Sequence, residues 1–392
     1  MHEGLAPGPT IVATAGIHGN EPAGLHALDR VLATLRGLST TFRGRLLAVV
    51  GHRSALAQGV RYIGRDLNRG WEAADLAQVR RRSFESLRAE DLEQRELLDL
   101  FEPILAEATE PVIFLDLHST SGPGAPFVCM ADVIRNRKFA FSMGVPTVLG
   151  LEEAIEGSMI GFLCDIGHIG IAVEGGQHDH PDTVEHHMAA IWSVLDAAGS
   201  LDVSGMPDVK HLRDKLQRSV NGLPQVIEIR HRHVCKDGDG FVMNPGYSNF
   251  QPVKAGEVVA RDDRGLIRMT EDGIMMLPRY QGQGEDGFFL ARSVRPFWLS
   301  MSAQLRRLGA DRVLRGLPGV RRHPVEPDTF VVNPRIARFR VIEIFHLLGY
   351  RRRRPEDGQL VFSRRRPDAW GPEPLPSITD EHNSSVRPFQ RA

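Results

Sequence analysis

The chain has 392 residues, 42% of them hydrophobic and 25% charged, with a formal net charge of -1. That length argues for two or three domains, and the composition is that of an ordinary globular protein, neither disordered nor fibrous. The charge balance selects no class of partner, and no stretch approaches the run of about eighteen apolar residues that a membrane-spanning helix needs.

In chain order, residues 10–15 form a short apolar run ending at Gly16, which predicts a buried strand. Residues 22–36 carry apolar positions at helical spacing and open with Pro22, a residue suited to a helix start. A second strand is predicted over 46–50. Residues 72–107 hold a helical pattern too long for one element, and 112–117 and 169–173 read as further strands. Helix and strand patterns alternate, so the expected fold class is α/β: a mixed, mainly parallel sheet flanked by helices. In such sheets, sites gather at the carboxyl ends of strands. His18, His118 and Glu174 all fall at or just past a predicted strand end.

Near Gly222 the texture changes. Short runs such as 226–229, 258–260 and 288–291 alternate with Gly, Asp and Asn turns, which predicts a small all-β domain. Residues 203–207 and 222–224 flank a helical bridge into it. After Pro296, residues 298–308 look helical, 339–348 fit a helix or a strand, and 350–362 fit a hairpin around Pro355-Glu356-Asp357-Gly358. From 367 onward, Pro, Ser and polar residues predict a disordered tail. The expected division is 1–221, 222–296 and 297–392, with no internal repeat.

The last segment is rich in arginine, with 18 Arg and no Lys against 10 Asp and Glu over residues 300–392. Such a segment could bind an anion or a nucleic acid, with a steep salt dependence. Most of the chain's basic residues are Arg, however, and a solvated Arg-rich face is the plainer reading. Cys129, Cys164 and Cys235 form no CxxC pair, which fits free thiols in a reducing compartment. The start, Met1-His2-Glu3-Gly4, lacks a basic region followed by an apolar run, so no signal peptide is expected and the default location is the cytoplasm.

Three phrases carry the chemistry. His18-Gly19-Asn20-Glu21 and Asp116-Leu117-His118 together offer His, Glu and His. Three protein ligands and one open position are what a catalytic zinc ion takes. Singly, His18 or His118 reads as a surface or capping residue, and Glu21 as a carboxylate favouring a helix N-terminus. Asp116 inside an apolar strand is harder to dismiss, because a buried carboxylate needs a partner and a metal-bound His is a natural one. Val173-Glu174-Gly175-Gly176 supplies a further carboxylate suited to a base. Arg61, Arg65 and Arg69 crowd one loop, where guanidinium groups can hold a carboxylate in fork geometry or face an oxyanion.

The chain resembles the succinylglutamate desuccinylase/aspartoacylase family, relatives of the zinc carboxypeptidases. The phrases that carry the likeness are residues 16–24 around His18 and Glu21, residues 61–69, Asp116-Leu117-His118-Ser119-Thr120 and Val173-Glu174-Gly175-Gly176, and it extends over roughly residues 8–295. The resemblance implies a carboxypeptidase-like α/β domain followed by a β domain that narrows the site entrance. It implies one zinc ion per subunit on His18, Glu21 and His118. Glu174 would be the base that activates water and then passes a proton to the leaving amine. Arg61 would polarise the scissile carbonyl, Asn68 and Arg69 would hold a substrate carboxylate, and Tyr280 would reach in from the β domain. Asp66 would stand behind a ligating His, as would Asp116.

The chain departs from the family where aspartoacylases carry a further substrate-binding Arg, a position that falls near Cys164. It also reads Gly51-His52-Arg53 where relatives often have Asn-Pro. Arg65 is an added cation, and His178 and His180 are expected mainly on the surface. The function expected is hydrolysis of an amide in an N-acyl amino acid or related small amide. The alternatives are a metallocarboxypeptidase acting on short peptides or, in a different class, an anion or nucleic-acid binder. A small-molecule substrate, no membrane partner and no nucleic acid are expected, and a homo-oligomer is compatible with the sequence.

Overall fold

The computed structural model describes residues 1–364 apart from 39–40, 237, 327, 338–339 and 357, together with 372 and 375. Most of the tail expected from 367 lies outside the described residues.

Strand Ala6–Ala15 lies between Arg43–Val50 and Ile113–Thr120 and is parallel to both, and Ile169–Gln177 continues the parallel set beyond Ile113–Thr120. Helices bury both faces of these strands, which is why they read as continuous apolar runs. One face packs against Ala23–Leu35 and Asp182–Ala198 through Leu28, Val31, Ile191 and Trp192. The other packs against Ala89–Ala106 through Leu98, Phe101 and Phe114. The helical pattern at 72–107 resolves into Ala73–Arg81, a single turn at Phe84–Ser86 and Ala89–Ala106.

The change of texture at Gly222 does not interrupt the sheet. Strand Val226–Val234 pairs in parallel with Thr147–Leu149, and Asp286–Ser293 then pairs antiparallel with Val226–Val234. Among the described residues the central sheet has eleven strands, reached through Phe127–Met130 and Thr147–Leu149. Those two linking strands, of four and three residues, are too short to leave a periodicity. A separate antiparallel sheet joins Val242–Met243, Val258–Asp262 and Gly265–Arg268.

After helix Pro296–Arg307 the chain builds a four-stranded antiparallel sheet around Phe330, Phe345, Tyr350 and Phe362. Residues expected as helix or strand at 339–348 form helix Val341–Leu347, and the expected hairpin pairs Tyr350–Glu356 with Gln359–Arg364. Several of its arginines face carboxylates: Arg306 with Asp132, Arg351 with Asp165, Arg353 with Glu326 and Arg364 with Asp311. Among the described residues no helix is long and apolar enough to cross a membrane.

Candidate active site

Register places the first groups. Thr14 is the cross-strand partner of Asp116, and His118 is that of Glu174. Thr14 Oγ1 therefore donates to Asp116 Oδ1 at 2.6 Å, and His118 and Glu174 stand side by side at the strand ends. His18 and Glu21 arrive from the turn between Ala6–Ala15 and Ala23–Leu35. That turn is tight against its neighbours: a Cβ on Gly19 would lie 2.2 Å from the Ala55 carbonyl carbon. The Gly19 N–H donates to the Arg61 carbonyl at 3.1 Å, which ties the turn to the arginine loop.

His18, Glu21 and His118 are buried, with their ligand atoms all within 4.8 Å of one another. Glu21 Oε1 lies 2.9 Å from His18 Nδ1, and Glu21 Oε2 lies 3.1 Å from His118 Nδ1. Each imidazole turns its other nitrogen to a second carboxylate, His18 Nε2 to Asp66 Oδ1 at 3.1 Å and His118 Nε2 to Asp116 Oδ2 at 2.7 Å. Two Nδ1 atoms and one carboxylate converging, with a carboxylate behind each ring, is the donor set and outer support of a His/His/Glu zinc site. The residues fit the metal.

The electrostatics fit as well. Burial pushes the Glu21 carboxyl up, but His18 and His118 more than reverse this and hold it well below its ordinary value. Asp66 is likewise held low, against its burial, by His18, Arg61 and Arg69. Burial disfavours the His118 cation, yet Asp116 and Glu21 raise its pKa well above the usual imidazole value. Glu174 differs. Burial comes first and the Glu21 carboxylate adds to it, so its carboxyl is pushed up to about 8 despite the pull of His118. Its Oε2 is buried and has no hydrogen-bond partner among the described residues. A desolvated carboxyl beside a ligand cluster is a group poised to take and return a proton.

Arg61 reaches the same centre. Its guanidinium contacts Asp66 Oδ2 at 3.0 Å and Glu21 Oε1 at 3.3 Å, and its Nη2 lies 2.8 Å from His18 Nε2. Its Nε is buried without a partner among the described residues. Asn68 lines the pocket and accepts the Met159 N–H at 2.9 Å, while Arg69 donates to Asp286 Oδ2 at 3.0 Å. Arg65 turns outward to Asp91 at 2.8 Å and contributes no lining atom.

The cavity, of about 150 Å³, has two unlike sides. Arg61, Asn68, Arg69 and Asp286 make one polar side. Ala172, Cys129, Leu151, Ile155, Leu277 and Phe289 also line the cavity and together belong to one apolar cluster. Glu152 also faces the cavity, and the lining cations among the described residues are Arg61, Arg69 and Arg279. Cys164 does not face it. Its thiol is buried inside helix Met159–Asp165 against Asn136, and that helix offers Ile160 and Gly161 instead.

Tyr280 sits at the rim, with its hydroxyl 2.9 Å from both the Tyr247 nitrogen and the Asn244 carbonyl. The neighbouring Arg279 and Gln281 line the cavity in its place. Expected mainly on the surface, His178 is half-buried, 2.7 Å from Ser119 Oγ and 3.2 Å from Gln281 Oε1, because the β-rich part closes over it. His180 is exposed.

Two contributions escaped the sequence reading. Asp286 gave no signal, since it lies in an ordinary strand far from the motifs. His52 had one, the departure at Gly51-His52-Arg53. It is fully buried, its Nε2 lies 3.0 Å from Glu90 Oε1, and Glu90 accepts the backbone N–H groups of Ile63 and Gly64 at 2.7 and 3.0 Å. His52 and Glu90 thus fix the loop that carries Arg61.

Fold and site define an α/β domain with a candidate catalytic metal centre at the carboxyl end of its parallel strands. Residues 7–192 match the model of the succinylglutamate desuccinylase/aspartoacylase catalytic domain. A succinylglutamate desuccinylase of Yersinia pseudotuberculosis serotype O:3 (strain YPIII) is 34% identical over 110 residues, which are 28% of this chain and 32% of the relative. The chain thus matches about a third of the length of such curated relatives. Among solved structures, a succinylglutamate desuccinylase/aspartoacylase from Rhodobacter sphaeroides superposes with a TM-score of 0.54 at 19% identity, covering 74% of this chain and 87% of that one. The ectoine utilization protein EutE (DoeB) from Ruegeria pomeroyi, in a product-bound structure, gives 0.52 at 19% identity, covering 74% and 85%. These structures share the fold.

Proposed function

We propose that the protein is a zinc-dependent deacylase that hydrolyses the amide bond of an N-acyl amino acid or related small amide. The observation that carries this reading is the buried His18, Glu21 and His118 cluster with the unpartnered Glu174 carboxyl beside it. Zinc held by those three residues would supply a Lewis acid that lowers the pKa of water and polarises a carbonyl. Glu174 takes a proton from the attacking water and returns it to the departing amine nitrogen. Arg61, with its free Nε, faces the oxyanion that forms as the carbonyl carbon becomes tetrahedral. Asp66 and Asp116 hold the two imidazoles in orientation.

Arg69, with Asn68 beside it, gives a substrate carboxylate its place, because a guanidinium can exchange Asp286 for a second fork partner. The apolar side suits an uncharged substituent. A second carboxylate would there meet Glu152 and no cation from the 129–161 segment. We therefore place N-acyl amino acids with neutral side groups ahead of acidic ones. The three buried free cysteines suit a reducing cytoplasm. The test is metal analysis of purified protein with a hydrolysis panel of N-acetyl, N-succinyl and longer N-acyl amino acids beside short peptides. Stoichiometric zinc and cleavage of a neutral N-acyl amino acid are expected. No zinc, or cleavage of peptides alone, would overturn the proposal.

A further inference from the structure

Part of the pocket's apolar wall is a segment too short to hold itself. Helix Leu151–Ala154 has four residues and starts from Gly150 in the left-handed region at φ 78°. A single turn fixes several dihedral angles for very few hydrogen bonds and does not persist unaided. Yet Leu151, Glu152 and Ile155 face the substrate cavity, so something outside the turn must place it.

On the inner side Arg232 does so. It donates Nη1 to the Ala154 carbonyl at 2.8 Å and Nε to Asp286 at 2.5 Å. On the outer side the contacts come from the C-terminal segment. Glu153 Oε2 lies 3.0 Å from His346 Nε2 and accepts the Arg352 backbone N–H at 3.1 Å. The other ring nitrogen, His346 Nδ1, lies 3.1 Å from Glu228 Oε1 on strand Val226–Val234. An imidazole can donate to two carboxylates only when protonated. Burial opposes that form, but Glu153 and Glu228 lift the His346 pKa to about 9.

A second tie follows on the next wall element. Arg351 holds Asp165, the last residue of helix Met159–Asp165, with contacts of 2.9 and 2.6 Å, and this helix gives Ile160 and Gly161 to the cavity. His346 and Arg351 lie far beyond the family match, which ends at residue 192. They stand on a unit with its own aromatic core of Phe330, Phe345, Tyr350 and Phe362.

We propose that the C-terminal segment is a positioning device for the apolar wall of the pocket, and that His346 and Arg351 set Leu151–Ala154 and Met159–Asp165 against the substrate's side group. The segment tunes which side groups fit and touches no reacting atom. The substrate half of this inference rests on the deacylase proposal, whereas the mechanical half does not.

The test uses the full chain with His346→Gln, which keeps size but not charge, and Glu153→Gln, which leaves the contact to Glu228 intact should the first variant fold poorly. Backbone hydrogen exchange over residues 150–166 should rise about tenfold in either variant, while that over 112–120 stays at the wild-type rate. KM for N-acetylleucine should rise about five- to tenfold with kcat nearly unchanged, and both constants for N-acetylglycine should stay within about twofold. His346→Lys, which restores a charge, should recover part of the loss. Unchanged exchange over 150–166 overturns the positioning role, and so does an equal loss on both substrates. If zinc-loaded wild type cleaves no N-acyl amino acid of the panel, the deacylase proposal falls, and the exchange result still decides the mechanical one.

Discussion

Replacing Glu174 by Gln should move activity and stability in opposite directions. The substitution keeps the shape of a half-buried side chain while removing its ability to shuttle a proton. A positioned acid–base group is worth about 10²–10⁴-fold, or roughly 3–5 kcal/mol at 1.36 kcal/mol per decade, so kcat should fall by that factor with zinc content unchanged. Stability follows from the raised pKa. In the metal-free protein the Glu174 carboxyl titrates near 8, against 4.5 ordinarily. A carboxyl with a raised folded-state pKa binds more protons folded than unfolded across that window. Its contribution is intact below 4.5 and is lost as pH rises toward 8. The loss is about 1.4 kcal/mol per pH unit, so between pH 5 and pH 7 it reaches about 3 kcal/mol, an upper bound that relaxation would lower. Gln does not titrate and escapes the loss. Urea unfolding of both metal-free proteins at pH 5, 6 and 7 should show the variant gaining on wild type with each step. A stability difference independent of pH would refute the desolvated-carboxyl reasoning, and a variant with more than half the wild-type kcat would refute the base.

Chelation should abolish hydrolysis, and zinc alone should restore it. Zinc at about 100-fold over its Kd should also stabilise the protein by about 3 kcal/mol, read as a rise in Tm that His118→Ala abolishes. Arg69→Ala should raise KM about 10- to 100-fold, the worth of a charge-assisted carboxylate contact. The methyl ester of the same substrate should bind wild type as weakly as the acid binds the variant, and equal KM for acid and ester in wild type would remove Arg69 from the site. His52→Ala should cost about 3 kcal/mol, because it leaves the buried Glu90 without its imidazole partner. It should also lower kcat through the Arg61 loop, and an unaltered kcat would show that Glu90 holds Ile63 and Gly64 without help.

How much of this was legible depended on whether the information is local. Apolar runs at 10–15, 46–50, 112–117 and 169–173 announce strands because helices bury both of their faces. Pro22 and the spacing after it announce Ala23–Leu35 because helix starts are set by neighbouring residues. His18, Glu21, His118 and Glu174 stood out for a related reason. Singly, His18, Glu21 and His118 have plainer readings, but three ligand-type residues and a spare carboxylate near strand ends point together to a site, and parallel strands collect their carboxyl ends along one edge of the sheet.

The sequence by itself determined the α/β class and singled out the candidate ligand residues, the candidate base and the arginine loop. Only the tertiary structure decided the shape of the pocket. Phe289 and Asp286 reach it because strand Asp286–Ser293 joins the central sheet through Val226–Val234, a pairing across more than fifty residues that no local pattern records. Cys164 turns inward, and Ile160 takes the cavity side, because one turn of helix Met159–Asp165 has to bury the thiol against Asn136. His346 meets Glu153 across nearly half the chain. Strand and helix periodicity is written between neighbours, whereas a substrate pocket is written between segments that meet only when the chain has folded.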